Sequence, residues 1–454
     1  MARPIRLHDT RTGLRQPLEP REPGKVGIYA CGPTVYNRIH IGNARPYVVF
    51  SLLKRFLEHE GYEVTFVANI TDINDKIYDA ARGQGVPSDE LARAMIAHYV
   101  SDTEGLGLGR PDHEPLASGT IEPIKDLIQA LLDNGSAYAV DGDVYFRVRT
   151  DPEYGALSHR TIDDMDQGEG LEGSDRKEDP LDFALWKGEK PAEDTAWEAP
   201  WGAGRPGWHI ECSAMAEDIL GVGFEIHGGG NDLTFPHHEN EAAQTRRARG
   251  AELSRVWMHN GMLQMSGEKM AKSVGNIASL AEVLAEHGRD TVLMLFVGAH
   301  YRQPMQFDDG TLAQAAAAVR RVREAARRLA PGPSPDELAG LKERFFAALA
   351  DDFNTPAALA AVFDWIKEAN RREPGTGDAD LREMLGVLGL DNLLDPDAGD
   401  GEPDAATREL LERRETARAA RDFAEADRLR DELAAQGWQV RDSADGPQLV
   451  RAGA

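Results

Sequence analysis

The feature that most constrains the fold is a strand, helix, strand pattern near the N-terminus. Residues 26–31 and residues 64–70 are apolar runs that predict buried strands. Between them, residues 43–60 carry apolar pairs at helical spacing, after a loop that contains Gly32 and Pro33. Such a unit begins a doubly wound α/β sheet. We therefore predict a parallel, Rossmann-like sheet that binds ligands beyond the carboxyl ends of its strands.

The rest of the chain changes character in steps. Residues 151–207 are rich in Gly, Pro and acidic residues, which suits an insertion between two halves of the sheet. From about residue 311, Ala, Arg and Leu recur at helical spacing, and residues 331–390 predict part of a helical bundle. An acidic linker, 395–404, precedes one predicted long helix, 405–435, and a small hairpin. We predict a core of residues 1–115 and 200–310, an insertion of 116–199, a helical bundle of 311–395, and a C-terminal α+β domain of 403–454.

The charge balance limits how the chain meets a nucleic acid. There are 51 basic and 77 acidic residues, and a net charge of -26 repels a polyanion at long range. Any nucleic-acid contact must therefore be local, although arginine-rich helical stretches are also typical of solvated faces. The two arginine-rich stretches contain Arg320, Arg321, Arg323, Arg327 and Arg328, and Arg413, Arg414, Arg418, Arg421, Arg428 and Arg430.

The cysteine and apolar content narrow the class of protein. Cys31 and Cys212 are the two cysteines, so no disulfide framework is possible. The most apolar later stretch, Thr291–Val297, is too short to cross a bilayer, and the first ten residues lack the apolar run of a signal peptide. We expect a cytoplasmic protein that makes no membrane contact.

A first functional motif, His40-Ile41-Gly42-Asn43, lies between the first predicted strand and helix. Backbone amides at a helix N-terminus bind anions, and glycine lets a phosphate approach closely. The imidazole of His40 and the amide of Asn43 can stabilise charge that develops on a transferring nucleotidyl group. The alternative is a loop glycine between a surface histidine and a capping asparagine.

A second motif is the loop Lys269-Met270-Ala271-Lys272-Ser273. Lys269 and Lys272 can reach the charged oxygens of a triphosphate, although an exposed basic loop would look the same. The two motifs, in this order and about 230 residues apart, resemble the paired signatures of class I aminoacyl-tRNA synthetases. Asn43 and Ala271 depart from the commonest forms of the motifs, which have histidine and serine at these positions.

A third set of residues predicts a metal site. Cys31 ends the first predicted strand, and Cys212 lies in the segment Gly207-Trp208-His209-Ile210-Glu211-Cys212-Ser213. His237 and Glu241 are four residues apart, so a helix places them on one face, where the two sulfurs could complete a zinc site. His238 is the less well-spaced competitor for the histidine position.

These segments, together with His227-Gly228-Gly229-Gly230-Asn231-Asp232, closely resemble the bacterial cysteinyl-tRNA synthetase family. The resemblance covers nearly the whole chain, including the segments 299–302 and 351–356. It implies zinc ligands Cys31, Cys212, His237 and Glu241, and contacts to substrate cysteine from Thr71 and Trp208. It further implies ATP-binding residues His40, Gly42, Gly230, Asp232 and Lys272, and catalytic residues His40, Asn43, Lys269 and Lys272. For Gly230 and Asp232 the alternative is a tight turn with a capping aspartate.

The resemblance implies a ligase that converts cysteine and ATP to cysteinyl-adenylate and then charges tRNA(Cys). One Zn²⁺ per chain, Mg²⁺ bound with ATP, and a monomeric chain are expected. A family relative that joins cysteine to an amino sugar would share this chemistry, but it would lack the full tRNA-binding region that residues 311–454 predict. The other alternative is a catalytically inactive, zinc-stabilised RNA-binding protein.

Overall fold

The computed structural model describes residues 3–162, 165, 176–191, 193–265, 278–395, 405–420, 422–435, 438–443 and 446–451. The helices described are α1 (Ile41–His59), α2 (Asp75–Gln84), α3 (Ser88–Glu104), α4 (Ile121–Asp133), α5 (Trp208–Leu220), α6 (Glu239–Arg249), α7 (Leu280–His287), α8 (Arg289–Val297), α9 (Asp309–Ala326), α10 (Ala339–Ala350), α11 (Thr355–Ala369), α12 (Ala379–Val387), α13 (Ala405–Ala419) and α14 (Phe423–Ala435). Each of these helices is too short or too polar to span a lipid bilayer.

A four-stranded parallel sheet forms the centre of the molecule. In chain order the strands in the described residues are β1 (Arg6–Asp9), β2 (Leu14–Pro17), β3 (Lys25–Ala30), β4 (Glu63–Ala68), β5 (Ala137–Val140), β6 (Asp143–Phe146), β7 (Phe183–Gly188), β8 (Gly204–Pro206), β9 (Phe224–Gly230), β10 (Ser254–Asn260), β11 (Leu263–Met265), β12 (Met305–Phe307), β13 (Leu329–Ala330), β14 (Thr376–Gly377), β15 (Trp438–Ser443) and β16 (Gly446–Arg451). The central sheet has the order β10-β9-β3-β4, all parallel. The predicted β3-α1-β4 unit is confirmed, and the strand order reverses between β3 and β9.

A separate antiparallel sheet, β5-β6-β7-β8, is inserted between β4 and β9. Its first hairpin turns at Asp141 and Gly142, whose φ angles of 48° and 85° suit the tight turns that join twisted strands. Helix α4 precedes this sheet, and α5 leads from it back to the central sheet. Residues of this insertion, such as Lys187, line a cavity together with Thr34 after β3 and Pro236 after β9, at the carboxyl ends where the sequence predicts ligand binding.

The helices that follow β12 share a hydrophobic core with the central sheet. One buried cluster extends from Ile28 of β3 through Phe56 of α1 to Phe353 and Trp365 of the bundle. The rings of Phe56 and Phe353 lie 6.1 Å apart, centroid to centroid. A cut near residue 310 would consequently expose the apolar face on which α1 packs.

The C-terminal unit has a small core of its own, formed by Leu410, Leu429, Leu433 and Trp438. The prediction of one long helix over 405–435 is wrong, because α13 ends at Ala419 and α14 begins at Phe423. Asp422 explains the break: its carboxylate accepts a hydrogen bond from the Glu425 amide at 3.2 Å, as a helix cap does. The strands β15 and β16 then pair as the predicted hairpin.

Candidate active site and metal centre

Several of the predicted site residues gather where the strand order of the central sheet reverses. Cys31 directly follows β3, and its amide donates to the carbonyl of Gly228 in β9 at 3.0 Å. Thr71, beyond the end of β4, is paired with Thr34 in the loop after Cys31. This is the crevice in which open α/β sheets bind their ligands.

Four side chains that the sequence predicts as metal ligands meet in this crevice. The ligand atoms of Cys31, Cys212, His237 and Glu241 all lie within 4.8 Å of one another, and all four residues are buried. Glu241 Oε1 is 3.1 Å from His237 Nε2 and 3.6 Å from Cys31 Sγ. Tetrahedral zinc at usual bond lengths separates its ligand atoms by about 3.3–3.8 Å. The spacing of the cluster thus fits a zinc ion with little rearrangement.

The electrostatics of the cluster also favour a cation. Burial raises the pKa of the Cys31 thiol and of the Glu241 carboxyl well above their usual values, and neighbouring Cys212 acts in the same direction on both. Burial lowers the pKa of His237. Several acidic groups this close and this buried cannot all ionise by themselves, whereas a divalent cation stabilises thiolate and carboxylate together.

A second group of donors shares two members with the first. Cys31, His227, His238 and Glu241 also lie within 4.8 Å of one another. His238 Nε2 is 3.3 Å from Cys31 Sγ, so His238 remains a competitor of His237. The set with His237 contains both sulfurs, which zinc prefers as soft ligands.

His209 is a site residue that the sequence analysis missed. Its Nδ1 lies 3.0 Å from Nδ1 of His237, while Nε2 of His237 faces Glu241. Metal-bound histidines commonly hold their second ring nitrogen in such a hydrogen bond, which fixes the ring orientation. The signal was available, because His209 precedes Cys212 by three residues and therefore shares its side of α5.

The two predicted cysteine contacts, Trp208 and Thr71, touch residues in or next to this cluster. The indole of Trp208 is stacked on His237 with ring centroids 4.2 Å apart, and 36% of Trp208 is exposed. Thr71 is buried, and its hydroxyl donates to Glu211 Oε2 at 3.2 Å. A cavity of 610 Å³ opens beside Trp208 and extends to Lys187 of the insertion sheet. It is large enough for a small substrate and the end of a longer one.

The first motif forms the N-terminus of α1, as predicted. His40 precedes the helix, and its amide donates to Asn43 Oδ1 at 3.2 Å. The buried Nδ1 of His40 has no hydrogen-bond partner among the described residues. Burial lowers the pKa of His40, and Asp232 opposes that shift, so both lie in one electrostatic neighbourhood. A Cβ on Gly42 would stand 3.0 Å from the His40 ring, which explains the glycine.

Gly228, the first residue of the run Gly228-Gly229-Gly230, is needed for close packing of a helix on the sheet. A Cβ on Gly228 would lie 2.0 Å from Cζ of Phe50 in α1, so this glycine lets the helix approach the sheet. A Cβ on Gly230 would lie 2.3 Å from the carboxylate of Asp232, which is exposed at the end of β9. Gly230 ends β9 and Asp232 follows it, so both lie at the carboxyl end of this strand, where Asp232 interacts electrostatically with His40.

Lys269, Ala271 and Lys272 lie outside the described residues. Their flanking segments are described, and the later one touches the first motif. The carbonyl of Ala278 accepts a hydrogen bond from the amide of Ile41 at 3.2 Å. The amide of Leu280 donates to the carbonyl of Ile39 at 3.0 Å. The described segment that follows the lysine motif therefore lies beside the first motif, although more than 230 residues separate the two in the chain.

The fold and the two paired motifs define a class I aminoacyl-tRNA synthetase. Residues 17–317 match the family profile described as the tRNA synthetases class I (C) catalytic domain. Residues 344–390 match the DALR domain, and residues 400–451 match the cysteinyl-tRNA ligase anticodon binding domain. The chain belongs to the cysteine--tRNA ligase family.

Curated relatives and solved structures agree with this assignment. The cysteine--tRNA ligase of Symbiobacterium thermophilum is 46% identical over 99% of this chain and 100% of that protein. The cysteine--tRNA ligase of Alkalilimnicola ehrlichii is 47% identical over 98% of each chain. Mycobacterium tuberculosis methionyl-tRNA synthetase in complex with methionyl-adenylate has a TM-score of 0.59 at 18% identity, covering 82% of this chain and 91% of its own. That similarity concerns the fold.

Proposed function

We propose that this chain is a zinc-dependent enzyme that activates L-cysteine with ATP and transfers it to tRNA(Cys). The observation that carries the proposal is the buried cluster of Cys31, Cys212, His237 and Glu241. Family membership supports the reaction. The cluster supports selection of cysteine through zinc.

Selection of cysteine needs more than shape. Serine differs from cysteine by one atom, and a pocket separates such near-isosteres by only about 10²-fold. Zinc would supply the missing selectivity, because it binds a soft thiolate far better than a hydroxyl and lowers the pKa of a thiol. Trp208, stacked on His237 and partly exposed, is suitably placed to cover an amino acid at the cluster. Thr71 lies on the Glu211 side of the same crevice.

Adenylate formation follows from positioning and charge stabilisation. The carboxylate of cysteine attacks the α-phosphorus of magnesium-bound ATP, and pyrophosphate leaves. His40, Gly42 and the amides at the start of α1 would bind the phosphates, with the neutral imidazole and Asn43 as hydrogen-bond donors. Lys269 and Lys272 would stabilise the departing charge.

The adenosine half of ATP would lie across the end of β9. Gly230 permits close approach there, and the exposed carboxylate of Asp232 suits the ribose hydroxyls. In the second step a terminal ribose hydroxyl of tRNA loses its proton and attacks the activated carbonyl, and the bond to the phosphate breaks so that AMP leaves. No covalent enzyme intermediate is required, because the enzyme needs only to hold the reacting groups together.

We further propose how the chain divides this work, as a monomer acting in the cytoplasm. Residues 1–115 and 200–310 would form the catalytic core, 116–199 the connective insertion, 311–395 the tRNA-binding bundle and 403–454 the anticodon-binding domain. Some predicted tRNA-contacting arginines also serve the fold: Arg323 pairs with Asp290 at 3.0 Å, and Arg428 pairs with Glu425 at 2.7 Å. Other members of the second stretch, among them Arg413, Arg414 and Arg430, are also paired with acidic residues, so tRNA phosphates would have to compete with these ion pairs.

The deciding experiment is ATP–pyrophosphate exchange driven by cysteine, with serine as the competing substrate and tRNA(Cys) charging as the second readout. Cysteine-dependent exchange followed by charging is expected, whereas transfer to an amino sugar would favour the alternative relative. Zinc X-ray absorption with and without cysteine should show one additional sulfur at about 2.3 Å. An unchanged sulfur count, or a zinc-free enzyme that still rejects serine, would contradict the role of zinc.

A further inference from the structure

Asp352 is a buried carboxylate at the junction of the helical bundle and the catalytic core. It follows α10, it is fully buried, and its φ of 68° is left-handed, as is the φ of 46° at Phe353. Consecutive left-handed angles at residues other than glycine persist only where their surroundings enforce them. The amide of Asp352 donates to the carbonyl of Arg6 at 2.8 Å. The conformation is thus enforced by the core, and the side chain accepts further bonds from it.

The carboxylate of Asp352 holds the segment between α8 and β12. The Tyr301 hydroxyl donates to Oδ1 at 2.8 Å, and the Arg302 guanidinium donates to Oδ2, with Nε at 2.9 Å. The amide of His8 donates to Oδ1 at 2.9 Å. These donors satisfy the buried carboxylate, and removing its charge would leave Arg302 without its buried partner.

Arg45 holds the same segment from the opposite side. Arg45 lies in α1, two residues after Asn43, and its guanidinium donates to the carbonyls of Gly261 and His300, the latter at 3.1 Å. Burial lowers its pKa to about 10, which leaves it a cation at neutral pH. A buried cation whose described partners are carbonyl oxygens is costly, which suggests a role beyond stability.

The contacts made by Arg45 and by Asp352 converge on the residues just before β11. The amide of Gly261 donates to the carbonyl of Tyr301 at 2.8 Å, and β11 then pairs with β12 in parallel. A Cβ on Gly261 would lie 2.4 Å from the backbone of Gln303, so the two segments are in close contact. Leu263 of β11 packs toward Gly42, with 3.7 Å between its Cβ and a Cβ built on that glycine. Strand β11 is therefore fixed between the first motif and the bundle.

We propose that Arg45 and Asp352 are positioning residues for adenylate formation, which together hold β11 in register against the His40–Asn43 turn. The inference rests on the proposed adenylating activity. Both side chains are buried away from the crevice: Asp352 acts through the 300–303 segment, and Arg45 acts through that segment and through Gly261. A small displacement of groups that must meet a transition state reduces the rate far more than it reduces ground-state binding.

The test uses the full chain with Asp352→Asn, which keeps the shape of the side chain and removes its charge. The kcat of cysteine-dependent pyrophosphate exchange should fall by about 10-fold or more, with KM values for cysteine and ATP within about 2-fold. Arg45→Lys keeps the charge but loses the planar fork, and it should act in the same way. Because both residues hold the same strand, the fold-loss of kcat in the double variant should be much smaller than the product of the fold-losses in the two single variants.

Asp290→Asn is the matched control. Asp290 also joins the core to the helical bundle, since its carboxylate accepts from Arg323 at 3.0 Å and from the Asn392 amide group at 3.0 Å. It has no hydrogen-bonded route to β11 among the described residues. The control should lower thermal stability to a similar degree while leaving kcat close to that of the unmodified enzyme.

Hydrogen exchange tests the positioning separately from the activity. Amide exchange at Gly261 and across β11 should accelerate by about 10-fold or more in Asp352→Asn and remain unchanged in Asp290→Asn. Unaltered exchange at β11 would overturn the inference, as would equal kcat losses in the two aspartate variants, a loss confined to KM, or independent effects of Arg45 and Asp352. An unmodified enzyme without cysteine-dependent exchange would instead overturn the proposed function.

Discussion

Replacing Cys212 by serine tests the zinc hypothesis most directly. The substitution keeps the side-chain shape but exchanges a soft sulfur for a hydroxyl in a cluster whose four ligand atoms lie within 4.8 Å. Cys212 is 1% exposed, so no solvent ligand can readily take its place. We expect zinc affinity to collapse and cysteine activation to fail with it.

The expected loss of kcat/KM follows from the proposed role of Cys212 as a direct zinc ligand. Loss of an outer partner of a metal ligand costs about 10–100-fold in affinity or activity. Loss of a direct ligand should cost more, so we expect kcat/KM for cysteine to fall by about 10³-fold, equivalent to about 4 kcal/mol of transition-state stabilisation. The buried hydroxyl should reduce the free energy of unfolding by about 1–3 kcal/mol.

Ser213→Ala provides the matched control for the neighbouring position. Ser213 is equally buried in α5, and its hydroxyl donates to Gln244 Oε1 at 2.6 Å, so its loss carries a comparable stability cost. The assays are zinc content, cysteine-dependent pyrophosphate exchange, and ATP affinity by equilibrium titration. Both variants should bind ATP normally, and only Cys212→Ser should lose zinc and cysteine activation. The reasoning is refuted if Cys212→Ser keeps full zinc content and still prefers cysteine to serine as strongly as the unmodified enzyme.

Three further predictions concern other parts of the chain. Lys272→Ala should lower kcat for pyrophosphate exchange by about 10²-fold while the KM for cysteine stays unchanged, and a change in that KM alone would place the lysine in the wrong pocket. A chain that ends at residue 395 loses a unit with a separate core, so it should retain exchange but charge tRNA poorly; efficient charging would contradict the tRNA-binding assignment, and tRNA affinity of the full chain should fall as salt rises. Burial lowers the pKa of His259 to about 3, so the unfolded state takes up a proton first as the pH falls below about 6.5. His259 should therefore lower the free energy of unfolding, measured by denaturant titration, by up to about 1.4 kcal/mol for each pH unit below that point. If His259→Gln left the slope of the free energy of unfolding against pH unchanged, the prediction would be contradicted.

Local pattern was sufficient to predict much of the fold. The alternation and length of apolar runs predicted β3, α1 and β4 to within two or three residues, because each of these elements buries a continuous face. Asp141-Gly142 is a residue pair that tight hairpin turns favour, so the turn between β5 and β6 also has a local signal. The long C-terminal helix was predicted wrongly, because helical propensity alone gave too little weight to the cap at Asp422.

The sequence by itself determined which chemistry is available: two sulfurs, a His-Glu pair at helical spacing and two signature motifs can be read from residue types and their separations. The tertiary structure decided which of these groups meet. Parallel strands bring the ends of β3 and β9 together whatever their distance in the chain, so Cys31 meets Glu241 and the turn of His40 meets Ala278. The roles of His209 and Asp352 likewise depend on contacts between distant segments, since a residue's partners across a core leave no local periodicity in the sequence.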